Sequence, residues 1–551
     1  MRKKNFLWVL ITGLLALLVA CHSYYKVVPA QSSNLTETTK STDSLRLLNR
    51  YFILRCNGKA YSLIILKLSA DRKTADCMLE VLPNNHLVYA EDGTTRNYRF
   101  KKSDPAQTAV LSEVHFYQEY DPDAKPGPYT LQLDKITKIE VIEFDKKRTT
   151  NSYVIGAVGY TFGGLALAAI IIVATKSSCP FVSAYTNSDF LLQGELYGGA
   201  IYPQLARHDY LPLKISPDAN NQLRIRISNE LKERQYTDMA DLWVIHHPTG
   251  SRVLADENGH LFCLNQPVSP ATALFSEHRD VRSELAAPGD NKLLYFDDST
   301  KAVNQVVLKF NKPAIPQKGL LQLNLKNSYW LDYLYGELAK KFGSYYAAYV
   351  KQQKSKTAAE LTQWVNDQSI PLTVSVKTQE GWQEVTRIAT TGPLATRDLV
   401  IPVDCSRVTG TEVEIRLTSG FMFWEIDYAA MDFTTNHSFT VQVLSPEQAI
   451  DESGQDQLPV LLKEDGQYLD QPAIGNMATL TYKSPLPPGP GMTRSYILHS
   501  KGYYEHIREF SGKPDLAFLE QFRKTNAFPV FGLGLYKKVS HDTWNNLATS
   551  H

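Results

Sequence analysis

The sequence predicts a mainly β, multi-domain protein. Its parts are a small antiparallel β module, one glycine-rich hydrophobic helix, and β-rich modules including a jelly-roll-like sandwich with a helical insert. Three observations carry that prediction. Apolar and polar residues alternate with period two through most ordered stretches, as half-buried strands require. One uncharged run, Tyr153–Thr175, separates a short N-terminal part from a longer C-terminal one. Near Trp330 the apolar spacing changes to four, the signature of a helix. At 551 residues there is room for about three or four domains.

The chain opens with Met1-Arg2-Lys3-Lys4 and the apolar stretch Phe6 to Ala20, the pattern of an export signal. It closes on Leu18-Val19-Ala20-Cys21, which resembles the lipobox of bacterial lipoproteins. The resemblance makes residues 1–21 a lipoprotein signal peptide and implies cleavage before Cys21, with lipid, including palmitate, on its sulfur. His22 and Ser23 stand where an inner-membrane retention signal would place Asp, which directs the expectation to the outer membrane. Residues 22–44 are rich in Ser, Thr and Asn with little to bury, and read as a flexible tether.

Residues 45–150 read as a small antiparallel sheet or barrel. Tyr51–Leu54, Tyr61–Leu66, Met78–Leu82, Leu131–Leu133 and Ile139–Ile142 are its strands, and Asn57-Gly58, Asn84-Asn85 and Asp92-Gly93 suit its turns. Cys56 and Cys77 could form a disulfide in an exported protein, although both contexts also suit free buried thiols. Nothing in this module looks catalytic.

Residues 153–175 are long enough to cross a bilayer as a helix. Gly156, Gly159, Gly163 and Gly164 leave a groove where a second helix can approach closely. A lipid on Cys21 already anchors the chain, so this segment reads as a membrane-inserting or oligomerising helix. Lys146-Lys147-Arg148 upstream, against Lys176 alone downstream, disfavour a simple two-span inner-membrane topology.

Residues 176–325 read as a β-rich module holding Cys179-Pro180-Phe181-Val182, then Gly194-Glu195-Leu196-Tyr197-Gly198-Gly199-Ala200, then Asp209-Tyr210-Leu211-Pro212-Leu213. This CPFV, GExxGGA and DYLPL series resembles a module of uncharacterised envelope lipoproteins of the Bacteroidota type. The resemblance runs over most of 176–510. It implies architecture and compartment and brings no activity with it. His246 and His247 are strand neighbours pointing to opposite faces, poorly placed to share a metal. Asp256-Glu257-Asn258-Gly259 lacks EF-hand spacing and reads as a charged hairpin turn.

Residues 326–368 form the helical segment. Trp330, Leu334, Leu338 and Phe342, continued by Tyr345, Tyr346 and Tyr349, predict one helix towards Lys354, followed by another from Thr357 to Val365. Residues 369–440 alternate again and resemble a galactose-binding-like β-sandwich, with Gly381-Trp382 in an early turn. Such sandwiches often bind glycans or proteins through loops, which makes Trp382, Arg416 and Trp424 the candidate binding residues, Trp424 lying in a strand that suits the core. Residues 441–551 are a C-terminal β/α segment.

Net charge is +1, which gives no reason to expect nucleic acid. No Cys or His spacing suggests a metal, and nothing points to a cofactor. The chain lacks GxSxG, HExxH, Walker and Rossmann signatures, so no catalytic residue is assigned. The expectation is a non-enzymatic envelope lipoprotein that binds or scaffolds a protein or glycan, with a second copy of the chain as another partner. The rival is a glycan-active hydrolase carrying a jelly-roll accessory module, whose two carboxylates sequence alone can neither find nor exclude.

Overall fold

The computed structural model describes residues 23–30, 51–68, 74–82, 98–100, 113–132, 135–144, 179–186, 189–290, 292–313, 318–434 and 437–548. Cys21 and the run Tyr153–Thr175, with Gly156, Gly159, Gly163 and Gly164, lie outside the described residues. The chain divides into two compact units, one centred on Leu47–Ala174 and one on Thr175–His541.

In the first unit, β1 (Ser23–Ala30), β2 (Tyr51–Cys56), β3 (Lys59–Leu68), β4 (Thr74–Val81), β5 (Tyr98–Phe100), β6 (Glu113–Gln118), β7 (Gly127–Gln132) and β8 (Ile136–Phe144) form one sheet. Its order is β5-β1-β8-β6-β2-β3-β4-β7. Two expectations change here. Ser23–Ala30, expected as tether, is a strand that pairs with β8 through Val27 and Val28. The sheet is antiparallel except for β2 and β6, which run parallel from Tyr51 opposite Glu113 to Arg55 opposite Tyr117. The β2–β3 turn is as expected: Asn57 and Gly58 both take positive φ, 57° and 70°, as a two-residue hairpin demands. Phe52, Leu54, Leu63, Leu79, Val114, Phe116 and Leu131 fill the core beneath it.

The candidate Cys56–Cys77 bridge is absent, and both thiols are free and buried, the alternative their strand contexts also suited. Geometry excludes it. Cys56 pairs with Lys59 at one end of β3, and Cys77 pairs with Ile65 from its other side. Those partners stand about 20 Å apart along the strand, whereas bridged Cα atoms lie within about 7 Å.

The second unit begins with β9 (Phe181–Thr186), β10 (Asp189–Glu195), β11 (Arg207–Leu213), β12 (Gln222–Ser228) and the long β13 (Glu233–Pro248). A hairpin of β14 (Arg252–Ala255) and β15 (Leu261–Leu264) follows, then β16 (Thr272–Phe275), β17 (Arg279–Asp280), β18 (Leu294–Tyr295), β19 (Val303–Asn311) and β20 (Lys318–Asn327). Helices α1 (Tyr329–Lys340), α2 (Tyr346–Gln353) and α3 (Ala358–Asp367) interrupt the strands. Next come β21 (Leu372–Thr378), β22 (Gly381–Ile388), β23 (Arg397–Asp404), β24 (Glu412–Gly420) and β25 (Trp424–Asp432). The chain continues with β26 (Thr440–Leu444), β27 (Gln448–Asp451), β28 (Leu469–Gln471), β29 (Met477–Lys483) and β30 (Met492–His506), and closes on α4 (Leu516–Glu520) and α5 (Ala527–Ala548).

These strands build two sandwiches, one inserted in the other. The outer one faces β10-β9-β12-β29-β27 against β11-β30-β13-β26, with β28 also on β13. Val182, Ile225, Leu242, Val244, Leu480 and Leu498 meet in its core. The inserted one uses β17-β16-β19-β24-β21-β22 and β18-β25-β20-β23. Strict alternation shows why β19 and β24 form there: Val306, Leu308, Phe310, Val413, Ile415 and Leu417 are buried, and their neighbours stay half exposed. The boundaries drawn at 325, 369 and 440 therefore cut through folded bodies. A sandwich over 369–440 alone lacks β16, β19 and β20, and 441–506 returns to complete the outer sandwich.

Trp330, Leu334 and Leu338 are buried on α1 as their spacing requires. The expected single helix to Lys354 is broken, because Gly343 turns to φ +49° and a 3₁₀ turn spans Gly343–Tyr345. Ser344 there donates its N–H to the Gly512 carbonyl at 2.9 Å, a tertiary bond that competes with the helix. Helix α3 opens on a capping box between Thr357 and Glu360.

Candidate functional site

The residues of the sequence motifs converge on the joint between the two sandwiches. Asp209 on β11 and Arg397 on β23 form a buried ion pair, their side chains 6% and 7% exposed. Asp209 also accepts the Tyr197 N–H at 2.8 Å and the Tyr210 N–H at 3.0 Å, and Arg397 donates to the Glu195 carbonyl. The buried Glu195 carboxylate accepts the Leu394 N–H at 2.7 Å. One step away, the Asn327 side-chain oxygen accepts the N–H groups of Thr391 and Gly392 at 2.8 and 3.1 Å. Every charged member is thus matched by an opposite charge or a backbone donor, which burial demands.

The motif glycines explain themselves at the same place. A Cβ on Gly198 would stand 2.6 Å from the Thr390 carbonyl, and one on Gly392 would stand 2.6 Å from the Glu195 carboxyl group. Arg207 and Thr390 tie the same two segments: the Arg207 guanidinium donates to the Thr390 carbonyl at 2.9 Å, and the Thr390 hydroxyl donates to the Gly198 carbonyl at 2.8 Å. Cys179 of CPFV is structural too, its N–H donating to the buried Glu233 carboxylate at 3.1 and 3.2 Å.

The β14–β15 hairpin is the second part of the joint. Val253, Ala255 and Cys263 pack on Ile245 and Ile497 of the outer sandwich. Leu254 and Leu264 point the other way, onto Leu320 and Val400 of the inserted one. Its tip is the expected charged turn, where Asp256 accepts the N–H groups of Asn258 and His260 at 2.8 and 2.9 Å, with Gly259 at φ +82°. Tyr210 lies against Gly259, with its ring stacked on His499 at 4.7 Å. His208 and Trp243 complete this aromatic group, at 5.1 and 5.0 Å from His499. Burial holds the His499 imidazole down at about 4, so it is neutral near pH 7.

Of the candidate binding residues, the structure joins two and separates the third. Arg416 lies 4.5 Å over the Trp382 ring on the outer face of the six-stranded sheet, and both are half exposed. Trp424 is fully buried and donates its indole N–H to the Ile370 carbonyl at 2.8 Å, so it belongs to the core. Among the described residues, no group of three or more His, Cys, Asp or Glu side chains is placed to hold a metal ion. His247 is buried between the hydroxyls of Ser251 and Ser495, and His246 accepts from Arg494.

Sequence reasoning missed one polar cluster, in the first unit. His115 lies 2.8 Å from Glu113, and both are fully buried on β6. Arg55 donates to His115 Nδ1 at 2.8 Å. Guanidinium cannot accept, so Nδ1 is the acceptor and Nε2 carries the proton given to Glu113. Both ring nitrogens are engaged, which leaves His115 no free lone pair for base chemistry. The signal was visible as Glu113-x-His115, two polar residues sharing one face of an apolar strand.

Among the described residues, no helix is long and apolar enough to cross a membrane. No family model matches the chain, and no curated protein matches it. Among solved structures, the triple jelly-roll turret protein of an archaeal virus is 8% identical, with 62% of this chain and 93% of that chain covered and a TM-score of 0.12. The infectious bursal disease virus VP2 subviral particle is 9% identical, with 60% and 81% covered and a TM-score of 0.11. At such scores neither likeness carries a functional argument.

Proposed function

We propose that the protein is a non-enzymatic cell-envelope lipoprotein, of the Bacteroidota-type family its motifs resemble, that scaffolds or binds an envelope protein or glycan through its β modules. Lipid on Cys21 anchors it at the outer membrane, and Tyr153–Thr175 inserts into the bilayer or assembles copies. The observation that carries the reading is the joint: the polar chemistry of Glu195, Asp209 and Arg397 is consumed in holding two sandwiches together. A fixed pair of sandwiches suits a scaffold, and the half-exposed Trp382–Arg416 pair offers one face for contact.

The strand β1 sharpens the anchoring geometry. It starts at Ser23, so a lipidated Cys21 leaves at most about 7 Å of chain before the first sheet. The sheet is then held at the membrane surface rather than on a long tether. The test is metabolic palmitate labelling of the wild type and Cys21→Ser, with protease shaving of intact cells carrying a tag at His551. Label on the wild type alone supports the anchor, and label on neither overturns it. Loss of the tag from intact cells places the C-terminal modules outside.

A further inference from the structure

Strand β26 is an open edge. It pairs with β13 alone, and no other described residue hydrogen-bonds to its backbone. Its sequence is Thr440-Val441-Gln442-Val443-Leu444, without charge or proline, and its first four residues are exposed. Exposed edges invite pairing, and charges, prolines or cover normally block it. Most other described edges are blocked: β11 carries Arg207 and Pro212, β23 carries Asp398 and Pro402, β22 carries Glu384 and Arg387, and β18, which carries neither charge nor proline, is only two residues long with Leu294 buried. β10 and β27 carry Asp or Glu, β7 carries Pro128, and β15 has no exposed residue.

We infer that β26 pairs antiparallel with β26 of a second copy of this chain, joining two five-stranded sheets into one. The occupant follows from self-complementarity. A two-fold axis perpendicular to a continuous sheet must pass midway between a residue and its own copy, because neighbouring residues face opposite sides. Centring it on Gln442 keeps all five residues paired: Thr440 opposite Leu444, Val441 opposite Val443, and Gln442 opposite itself.

The side chains agree with that register. Val441 and Val443 lie beside Ile245 and Trp243, on the face turned away from the core residues Leu242 and Val244. They are 40% and 55% exposed in the single chain. The pairing lines up Trp243, Val443, then Val441 and Ile245 of the second copy, and the symmetric row beside it. Two continuous apolar bands result, with no charge opposed to a like charge. A foreign peptide would find the same edge but not this matched register.

The inference is independent of the proposed lipid anchor, since it concerns the second unit alone. It is tested with full-length Gln442→Cys, in membranes and in detergent, under mild oxidation and non-reducing electrophoresis. Gln442→Cys should shift the chain to twice its apparent mass, because directly opposed Cβ atoms lie about 4.5–5.5 Å apart. Thr440→Cys should remain at monomer mass, because its own copy lies about 14 Å along the paired strand. Adding Val441→Lys and Val443→Lys should abolish the Gln442→Cys shift. Monomeric Gln442→Cys, equal cross-linking by Thr440→Cys, or a Gln442→Cys adduct with a different protein would each overturn the inference.

Discussion

Arg397→Met is the sharpest probe of the joint. It removes the guanidinium from a site where Asp209 is almost inaccessible to water, and leaves a carboxylate with only the Tyr197 and Tyr210 N–H groups. Breaking a buried pair from one side costs about 3–5 kcal/mol. Asp209→Asn keeps an acceptor for those N–H groups, so its own cost comes from the stranded guanidinium. In the double variant neither charge is buried, and the loss should fall short of the sum of the singles by about 1–3 kcal/mol. Urea denaturation followed by tryptophan fluorescence measures all four forms. Strictly additive losses, or a loss below about 1 kcal/mol for Arg397→Met, would show that the pair is effectively solvated and that the sandwiches are held together by something else.

Three further outcomes follow from the same structure. Gly198→Ala should destabilise by about 1–3 kcal/mol because its methyl meets backbone at Thr390, while Gly489→Ala, with nothing within 4 Å, should be silent in the same titration. His499 has a folded pKa of about 4 against an ordinary 6.5, so the unfolded chain takes up its proton first. Its contribution is therefore complete above pH 6.5 and lost as pH falls towards 4, and His499→Phe should flatten thermal stability across that window. Denatured, unreduced protein should label with a thiol reagent at Cys56, Cys77, Cys179, Cys263 and Cys405, whereas a Cys56–Cys77 bridge would remove two of these sites.

What the sequence disclosed is local and what it hid is partnership. The strand at Tyr61–Leu66 and the Asn57-Gly58 turn are written in neighbouring residues, and both elements form as read. The α1 stripe is equally local, and it is lost at Gly343, where the deciding contact comes from Gly512. Nothing near Tyr51 says that β2 will lie parallel to β6, and nothing near Glu233 says that β13 will pair along its length with β30 more than 240 residues later. The boundaries at 325, 369 and 440 failed for that reason, since an inserted sandwich leaves the local pattern of its host unchanged, whereas the break near Thr175 divides the two units.

The GExxGGA and DYLPL motifs show how the same limit shapes a functional reading. Glycines, an acid and a proline at fixed spacing suggest turns and core, and that reading is right for Gly198 and Gly199. The purpose of Glu195 and Asp209 becomes visible only with Leu394 and Arg397 beside them, about 200 residues downstream. A carboxylate in a motif invites an assignment as acid or base. Here its lone pairs are already engaged by a guanidinium and by backbone N–H groups, which is the arrangement a joint needs and the opposite of what a proton-transfer group needs.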